Sequence, residues 1–200
     1  MDYKQSSEKL YDSFASEFEE RTKDYLQRYI LEDANLFMKN LKGKRILDLG
    51  SGPGRDANFF KEHGFSPICA DISGKMVELC LQKGLEAYQM DLENLKFSSS
   101  SFDGIWAYTS LLHMPKANFP KILDNIASFL SDNGLFYLGM KEGDFEDWQS
   151  DAKYNNEKRF VSLYRDDELR KLLSGLFVII HDSKIHLGGS TYLNYLCLKK

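Results

Sequence analysis

The chain has 200 residues, with 26 lysines and arginines against 30 aspartates and glutamates and a formal net charge of −4. This length suits a single domain that buries its own core. The mild acidity argues against a dedicated nucleic-acid-binding protein, because phosphate contacts need clustered basic residues.

Cysteine usage and apolar runs limit the cellular setting. Cys69, Cys80 and Cys197 are scattered, which excludes a paired zinc or redox motif and predicts reduced thiols in the cytoplasm. No apolar run reaches the roughly 18–20 residues of a membrane helix, and the N-terminus has no signal core. We therefore expect a cytoplasmic protein with no membrane segment and no metal site.

The predicted elements begin with helix over residues 3–41, where aromatic and aliphatic residues recur at helical spacing. Short strands and helices then alternate. The strands are predicted over 45–49, 67–70, 87–90, 102–108 and 135–140, and helices over 56–63, from Ser73 onward and over 119–130.

The last third of the chain departs from this alternation. Residues 142–163 are polar and aromatic with no clear period, which indicates an insertion. A helix is predicted from Asp166, because three acids in its first turn suit the helix dipole. Strands over 177–185 and 192–198 are joined by a glycine turn, and so should pair antiparallel.

Repeated strand–helix units predict an α/β fold, with a doubly wound, mostly parallel sheet of seven strands and an antiparallel last strand. We expect one domain, divided into a helical extension or lid (1–41), a cofactor-binding core (42–141), the insertion (142–163) and a closing helix and strands (164–200). Sheets of this kind bind ligands beyond the carboxyl ends of their strands.

The first predicted strand runs into a glycine-rich segment, Asp48-Leu49-Gly50-Ser51-Gly52-Pro53-Gly54-Arg55-Asp56. Such a segment lets the backbone approach a nucleotide-like cofactor at a helix N-terminus. Arg55 occupies the third glycine position of a dinucleotide loop, which counts against an oxidoreductase. Asp48 would oppose a pyrophosphate and favour a cationic or ammonium group.

Several segments in chain order resemble the motifs of class I S-adenosylmethionine (SAM)-dependent methyltransferases. The glycine-rich segment resembles their motif I, and the others are Cys69–Ser73 with Met76, Asp91–Leu92, Phe102–Ala107 and residues 132–140. The resemblance covers residues 40–140 well and the remainder loosely. It implies a Rossmann-like, three-layer α/β/α fold, SAM as the methyl donor and S-adenosylhomocysteine (SAH) as the product.

The resemblance also implies roles for individual acids. Asp71, 19 residues after Gly52, would accept hydrogen bonds from the ribose hydroxyls, or else simply cap the next helix. Asp91 would accept from the adenine amino group, or else be a turn residue. The predicted cofactor-binding set is Tyr11, Asp48, Gly50, Ser51, Gly52, Pro53, Gly54, Asp71, Ile72, Met76, Asp91, Leu92, Ala107 and Tyr108.

Candidates for the acceptor side are weaker. His113 is the histidine that the fold places at the active edge, as a general base, as a pocket residue or as a cap before Pro115. Tyr11 would belong to a lid over the cofactor, or to plain core. Arg55 and Asp56 would either lie near the cofactor carboxylate or pair with each other. Lys141 and Glu142 would lie at the ligand edge, or else face solvent. The pocket would be covered by Trp148, Arg159 and Tyr164, or else these residues have a packing or solvent role.

The expected activity is methyl transfer to a small molecule by in-line displacement, in which the protein aligns the nucleophile and excludes water. Alternatives left open are an RNA or protein methyltransferase and a non-catalytic SAM-binding protein. Either a monomer or a homodimer fits the sequence.

Overall fold

The computed structural model describes residues 2–200. Its α-helices are α1 (Tyr3–Ser13), α2 (Ala15–Thr22), α3 (Leu31–Asn40), α4 (Arg55–Glu62), α5 (Gly74–Gln82), α6 (Phe119–Phe129) and α7 (Asp166–Ser174). Its strands are β1 (Arg45–Leu49), β2 (Ser66–Asp71), β3 (Glu86–Gln89), β4 (Phe102–Tyr108), β5 (Leu130–Lys141), β6 (Glu146–Ser150), β7 (Lys158–Ser162), β8 (Phe177–Leu187) and β9 (Ser190–Lys199).

Seven strands form one sheet in the order β3-β2-β1-β4-β5-β9-β8. Strands β1 to β5 pair in parallel, and β9 runs antiparallel to both β5 and β8. The predicted mixed sheet with an antiparallel last strand is therefore confirmed. The chain leaves β1 toward β2 on one side, and later crosses from β3 to β4 on the other side of β1, which opens a crevice at the carboxyl end of β1.

Alternation along β4 shows how the sheet acquires a helical layer on each face. Ile105 and Ala107 pack into a core with α6 and α7, whereas Trp106 and Tyr108 pack into a core with α3 and α4. Trp106 stacks on Tyr137 of β5 with ring centroids 3.7 Å apart. Burial on both faces explains why these strands are almost continuously apolar.

The predicted continuous helix over 3–41 is wrong in one respect, because the helical region is interrupted. Phe14, with φ −119°, separates α1 from α2, and a π-helical turn, Leu26–Ile30, precedes α3. The break at Phe14 lets α1 turn across the sheet edge. There, the Asp12 carboxylate accepts hydrogen bonds from Ser73 Oγ (2.6 Å) and Lys75 N (3.0 Å) at the start of α5.

The segment 142–163 contains a β-hairpin, β6–β7, paired from Glu146–Ser162 to Ser150–Lys158. Helix α1 packs against this hairpin, since Ser6 Oγ donates to the Lys158 carbonyl and the ring centroids of Tyr3 and Phe160 are 6.0 Å apart. Helix α1 and the hairpin together therefore cover the carboxyl edge of the sheet. Within residues 2–200, no helix combines the length and apolar content needed to cross a bilayer.

Candidate active site

A cavity of about 920 Å³ lies between the carboxyl edge of the sheet, helices α1 and α2, and the β6–β7 hairpin. Of the residues predicted from the sequence, the cavity is lined by Tyr11, Asp48, Gly50, Ser51, Gly52, Pro53, Asp71, Ile72, Met76, Leu92, Tyr108 and His113. Gly54, Asp91 and Ala107 do not line it. Most of the predicted set is thus brought together in one place.

The glycine turn after β1 has the conformation that its sequence requires. Gly50 and Gly52 have φ values of +72° and +52°, which side chains other than glycine rarely adopt. A Cβ on Gly50 would lie 2.2 Å from Ser110 Cβ. The backbone therefore passes close to the segment after β4, where Ser110 Oγ donates to the Leu49 carbonyl.

Two acids lie beneath this turn. Asp48 accepts a hydrogen bond from Ala57 N at 3.2 Å, and burial, followed by the nearby Asp56 carboxylate, raises its pKa. Asp56 accepts from the Arg55 guanidinium and from Trp106 Nε1 at 2.9 Å. Arg55 and Asp56 therefore pair with each other, one of the two arrangements that the sequence left open. A cationic group entering the cavity would favour ionised Asp48.

Asp71 ends β2 and is 8% exposed. One of its carboxylate oxygens accepts from Gly52 N at 2.8 Å, and the other from Ser73 N at 2.9 Å. Burial nevertheless raises the pKa of Asp71 to about 6, against the opposing effect of these backbone hydrogen bonds. Each carboxylate oxygen has further acceptor capacity for a hydroxyl group in the cavity.

Apolar side chains continue the cavity wall beside Asp71. Met76 is 1% exposed and Leu92 is 6% exposed, and Ile72 lies at the same edge. Asp91 stands outside this wall, because its carboxylate pairs with Lys4 Nζ at 2.6 Å. The structure thus provides an apolar slot next to Asp71. Asp91, which is predicted to contact adenine, instead forms a salt bridge.

The segment after β4 is strained where it borders the cavity. Thr109 has φ +55°, a conformation rare for a β-branched residue, and its N–H donates to the Gly139 carbonyl at 2.8 Å. The preceding Tyr108 donates its hydroxyl to Tyr25 Oη at 3.1 Å. Strain of this kind is typical of functional sites that the surrounding packing holds in place.

Tyr11, His113 and Arg159 form a hydrogen-bonded cluster on the opposite wall of the cavity. His113 Nδ1 donates to the Phe160 carbonyl (3.1 Å), since that carbonyl is only an acceptor. Nε2 therefore accepts from the Tyr11 hydroxyl at 2.8 Å, and Tyr11 accepts from Arg159 Nη1 at 3.1 Å. Burial and the Arg159 charge lower the pKa of His113 to about 3, so the imidazole is neutral and its lone pair is occupied.

Several cavity residues were missed by the sequence analysis. Tyr154, in the hairpin turn, is 3% exposed and lies under the guanidinium groups of both Arg21 and Arg159, at 4.9 and 5.1 Å. Arg21 follows Phe18 by three residues, so helical spacing could have placed the two on one face. Trp148 and Tyr164 do not line the cavity, whereas Lys141 and Arg159 do.

Comparison with known proteins identifies the family of the chain. Residues 18–176 match the family model described as "Methyltransferase domain". An uncharacterised protein of Haemophilus influenzae is 30% identical over 152 residues, which are 66% of this chain and 58% of that protein. The sarcosine/dimethylglycine N-methyltransferase of Aphanothece halophytica is 31% identical over 103 residues, 47% of this chain and 36% of the enzyme.

The chain therefore spans 58% of the length of the first relative and 36% of the length of the second. Among solved structures, magnesium protoporphyrin IX methyltransferase from Synechocystis PCC 6803, with bound SAM, superposes with a TM-score of 0.76 at 17% identity. That alignment covers 100% of this chain and 98% of the other, and at such identity it shows a common fold. Because the family model covers most of the sequence, the chain belongs to the methyltransferase domain family.

Proposed function

We propose that the protein transfers the methyl group of SAM to a small-molecule acceptor. The observation that carries the proposal is the buried Asp71 carboxylate, which lies at the cavity wall beside the Gly52 turn, with an apolar slot next to it. A carboxylate in this position accepts hydrogen bonds from a ribose diol, and the slot suits a flat purine ring.

The remaining contacts follow from the order of residues around the cavity. Met76, Leu92 and Ile72 would enclose the adenine ring, and Asp48 would favour the ammonium group of the methionyl part. The open turn Gly50–Gly52 lets the backbone pass close to the cofactor. The predicted adenine contact of Asp91 would require that carboxylate to be shared with Lys4. Gly54 and Ala107 would act through the shape of the turn and strand.

The cofactor supplies a methyl group already activated on a sulfonium. The chain's own residues then have three tasks, which are to align the acceptor, to exclude water and to control any proton that the acceptor loses. Helix α1 and the hairpin cover the cavity, which serves water exclusion. The fixed tautomer of His113 orients the Tyr11 hydroxyl toward Nε2. A base role for His113 stays a prediction, and it would require Tyr11 to release Nε2.

A small acceptor is favoured by the size and cover of the cavity. Its volume of about 920 Å³ lies near the top of the roughly 300–1,000 Å³ typical of small-molecule sites, which suits two ligands side by side. The relatives above are named for sarcosine, dimethylglycine and a magnesium porphyrin, all small molecules. The net charge of −4 gives no general attraction for RNA.

Isothermal titration calorimetry with SAH tests the proposal. We expect one SAH per chain, and an affinity about tenfold or more lower in Asp71→Asn, because hydrogen bonds to a charged group are worth about 1.5–3 kcal/mol. Asp103→Asn is the matched control, since that carboxylate accepts from Arg45 N at the opposite edge of the sheet. Binding of NAD instead of SAH would overturn the proposal, and RNA binding that weakens steeply with salt would overturn the small-molecule assignment.

A further inference from the structure

Charges are distributed unevenly around the cavity. The acids Asp48, Asp56 and Asp71 lie on the wall formed by the glycine turn and the end of β2. The cations Lys141 and Arg159 lie on the other wall, at the end of β5 and on β7. A cofactor with a cationic sulfonium and an ammonium group suits the acidic wall, which leaves the cationic wall for the acceptor.

Hydrogen bonds and a ring contact fix the position of the Arg159 guanidinium, and one of its N–H donors has no partner. Nη1 donates to Tyr11, Nη2 donates to Asp151 at 3.2 Å, and the group lies over the Tyr154 ring. Nε is buried and has no hydrogen-bond partner among residues 2–200. A buried N–H without a partner is unfavourable, so the Arg159 guanidinium has a donor that no protein group uses.

Among residues 2–200, Asp151 is the carboxylate that pairs with Arg159, and its other oxygen accepts from Lys153 N at 2.9 Å in the hairpin turn. Lys141 adds a second positive charge, and among residues 2–200 it has no ion pair or hydrogen bond through its side chain. The adjacent Glu142 lies toward Lys184 instead. Lys141, Arg159 and Tyr192 line the same cavity, and Lys141 is opposite Tyr192 in the sheet.

The other cations that line the cavity have side-chain partners, apart from Lys153, which is exposed at the rim. Lys4 pairs with Asp91, and Arg55 pairs with Asp56. Arg21 lies beside Phe18, whose ring is the nearest contact above Gly52. Arg21 donates to the Tyr154 hydroxyl at 2.8 Å and lies over the Tyr154 ring, so its guanidinium already has a partner.

We propose that the acceptor carries a carboxylate, and that Arg159 and Lys141 bind it. Arginine offers planar donors that match a carboxylate, and lysine offers a mobile point charge, so the pair suits a small organic acid more than a neutral acceptor. The inference deepens the proposed function and rests on it. It concerns how the acceptor is bound, whichever of its atoms receives the methyl group.

A binding experiment with SAH-saturated protein tests the inference. Acetate, malonate, benzoate and salicylate are each compared with the corresponding primary amide by saturation-transfer NMR and titration. At least one acid of this panel should bind about tenfold or more tightly than its amide. Arg159→Gln and Lys141→Gln should each reduce that preference several-fold, whereas Lys153→Gln, which removes an exposed cation at the rim of the same cavity, should preserve it.

Two variants on different elements keep the test valid if one of them unfolds. The inference is wrong if no acid binds better than its amide, if inorganic phosphate competes as well as the acids, or if the preference survives both substitutions. It is also wrong if Arg159→Gln mainly weakens SAH, because the guanidinium would then hold the cofactor, and the proposed function would stand. Failure of the wild type to bind SAH would instead refute the proposed function.

Discussion

The ionisation of Asp71 gives a quantitative prediction about cofactor binding. Its pKa of about 6 means that at pH 5 about one molecule in eleven carries the ionised carboxylate. Only the ionised form accepts hydrogen bonds from both ribose hydroxyls at full strength. The affinity for SAH should therefore be constant above about pH 7 and fall about tenfold between pH 7 and pH 5.

Calorimetric titrations of SAH from pH 5 to pH 8 measure this dependence. Asp71→Asn is the control, because it keeps one acceptor oxygen and removes the ionisation, so its weaker binding should change little over the same range. The reasoning would be refuted by a flat wild-type profile, or by an equal slope in the variant.

The same group predicts a stability effect of opposite sign. Because the folded-state pKa lies above the ordinary value of 3.8, ionising Asp71 opposes folding. Its stabilising contribution is complete below about pH 3.8 and is lost as the pH rises through about 6, by up to about 3 kcal/mol. The difference in unfolding free energy between wild type and Asp71→Asn, without ligand, should show this window. Saturating SAH should reduce the difference.

Four further substitutions test separate parts of the account by urea denaturation. Gly50→Ala should cost about 2–5 kcal/mol and abolish SAH binding, since strain and the overlap with Ser110 add. Gly64→Ala, at φ +82° with no atom near its Cβ, should cost only about 1–2 kcal/mol. Wild type should lose about 1.4 kcal/mol of stability per pH unit below about pH 6.5, because the folded-state pKa of His113 is about 3. His113→Gln should remove this loss. Tyr137→Phe should cost about 1–3 kcal/mol by removing a hydrogen bond to a buried carboxylate.

Each substitution has an outcome that would contradict its basis. Equal costs for the two glycine variants would show that the turn has room for a side chain at residue 50. Parallel pH profiles for wild type and His113→Gln would mean that this imidazole is accessible to protons in the folded protein. A neutral Tyr137→Phe would mean that the Asp33 carboxylate does not depend on this donor.

The parts of the fold that were predicted well are those in which burial controls the sequence. Strand β4 is buried on both faces, so its apolar run was recognised within its exact bounds, Phe102–Tyr108. The glycine turn was equally clear, since positive φ values restrict the residue type. The antiparallel β8–β9 pair followed from the short Gly188–Gly189 connection. These signals are local, and each has a direct steric cause.

The missed features depend on contacts between distant segments. The β6–β7 hairpin is exposed or partly exposed over much of its length, so it shows no alternation of apolar and polar residues. The break at Phe14 has no proline or glycine, and it is stabilised by the docking of Asp12 on α5. Strand β5 begins at Leu130, but its pairing with β4 passes from Leu130 directly to Leu135 and Asn133 has φ +60°, so the predicted turn over 132–134 is a bulge inside the strand.

The candidate site shows the same division. Asp71 and Gly50 were located by their positions after strands, and the cavity contains both. The Tyr11–His113–Arg159 cluster joins three segments separated by about 50 to 150 residues, which no spacing rule connects. The lone pair of His113 could not be assigned from sequence, since it depends on the Phe160 carbonyl of the hairpin.

A crystal structure of the protein with SAH tests the central claim most directly. We expect both ribose hydroxyls within hydrogen-bonding distance of the Asp71 carboxylate, and the adenine ring between Met76 and Leu92. Density for SAH elsewhere, or a ribose bound by other groups while Asp71 keeps only its contacts to backbone amides, would contradict the account.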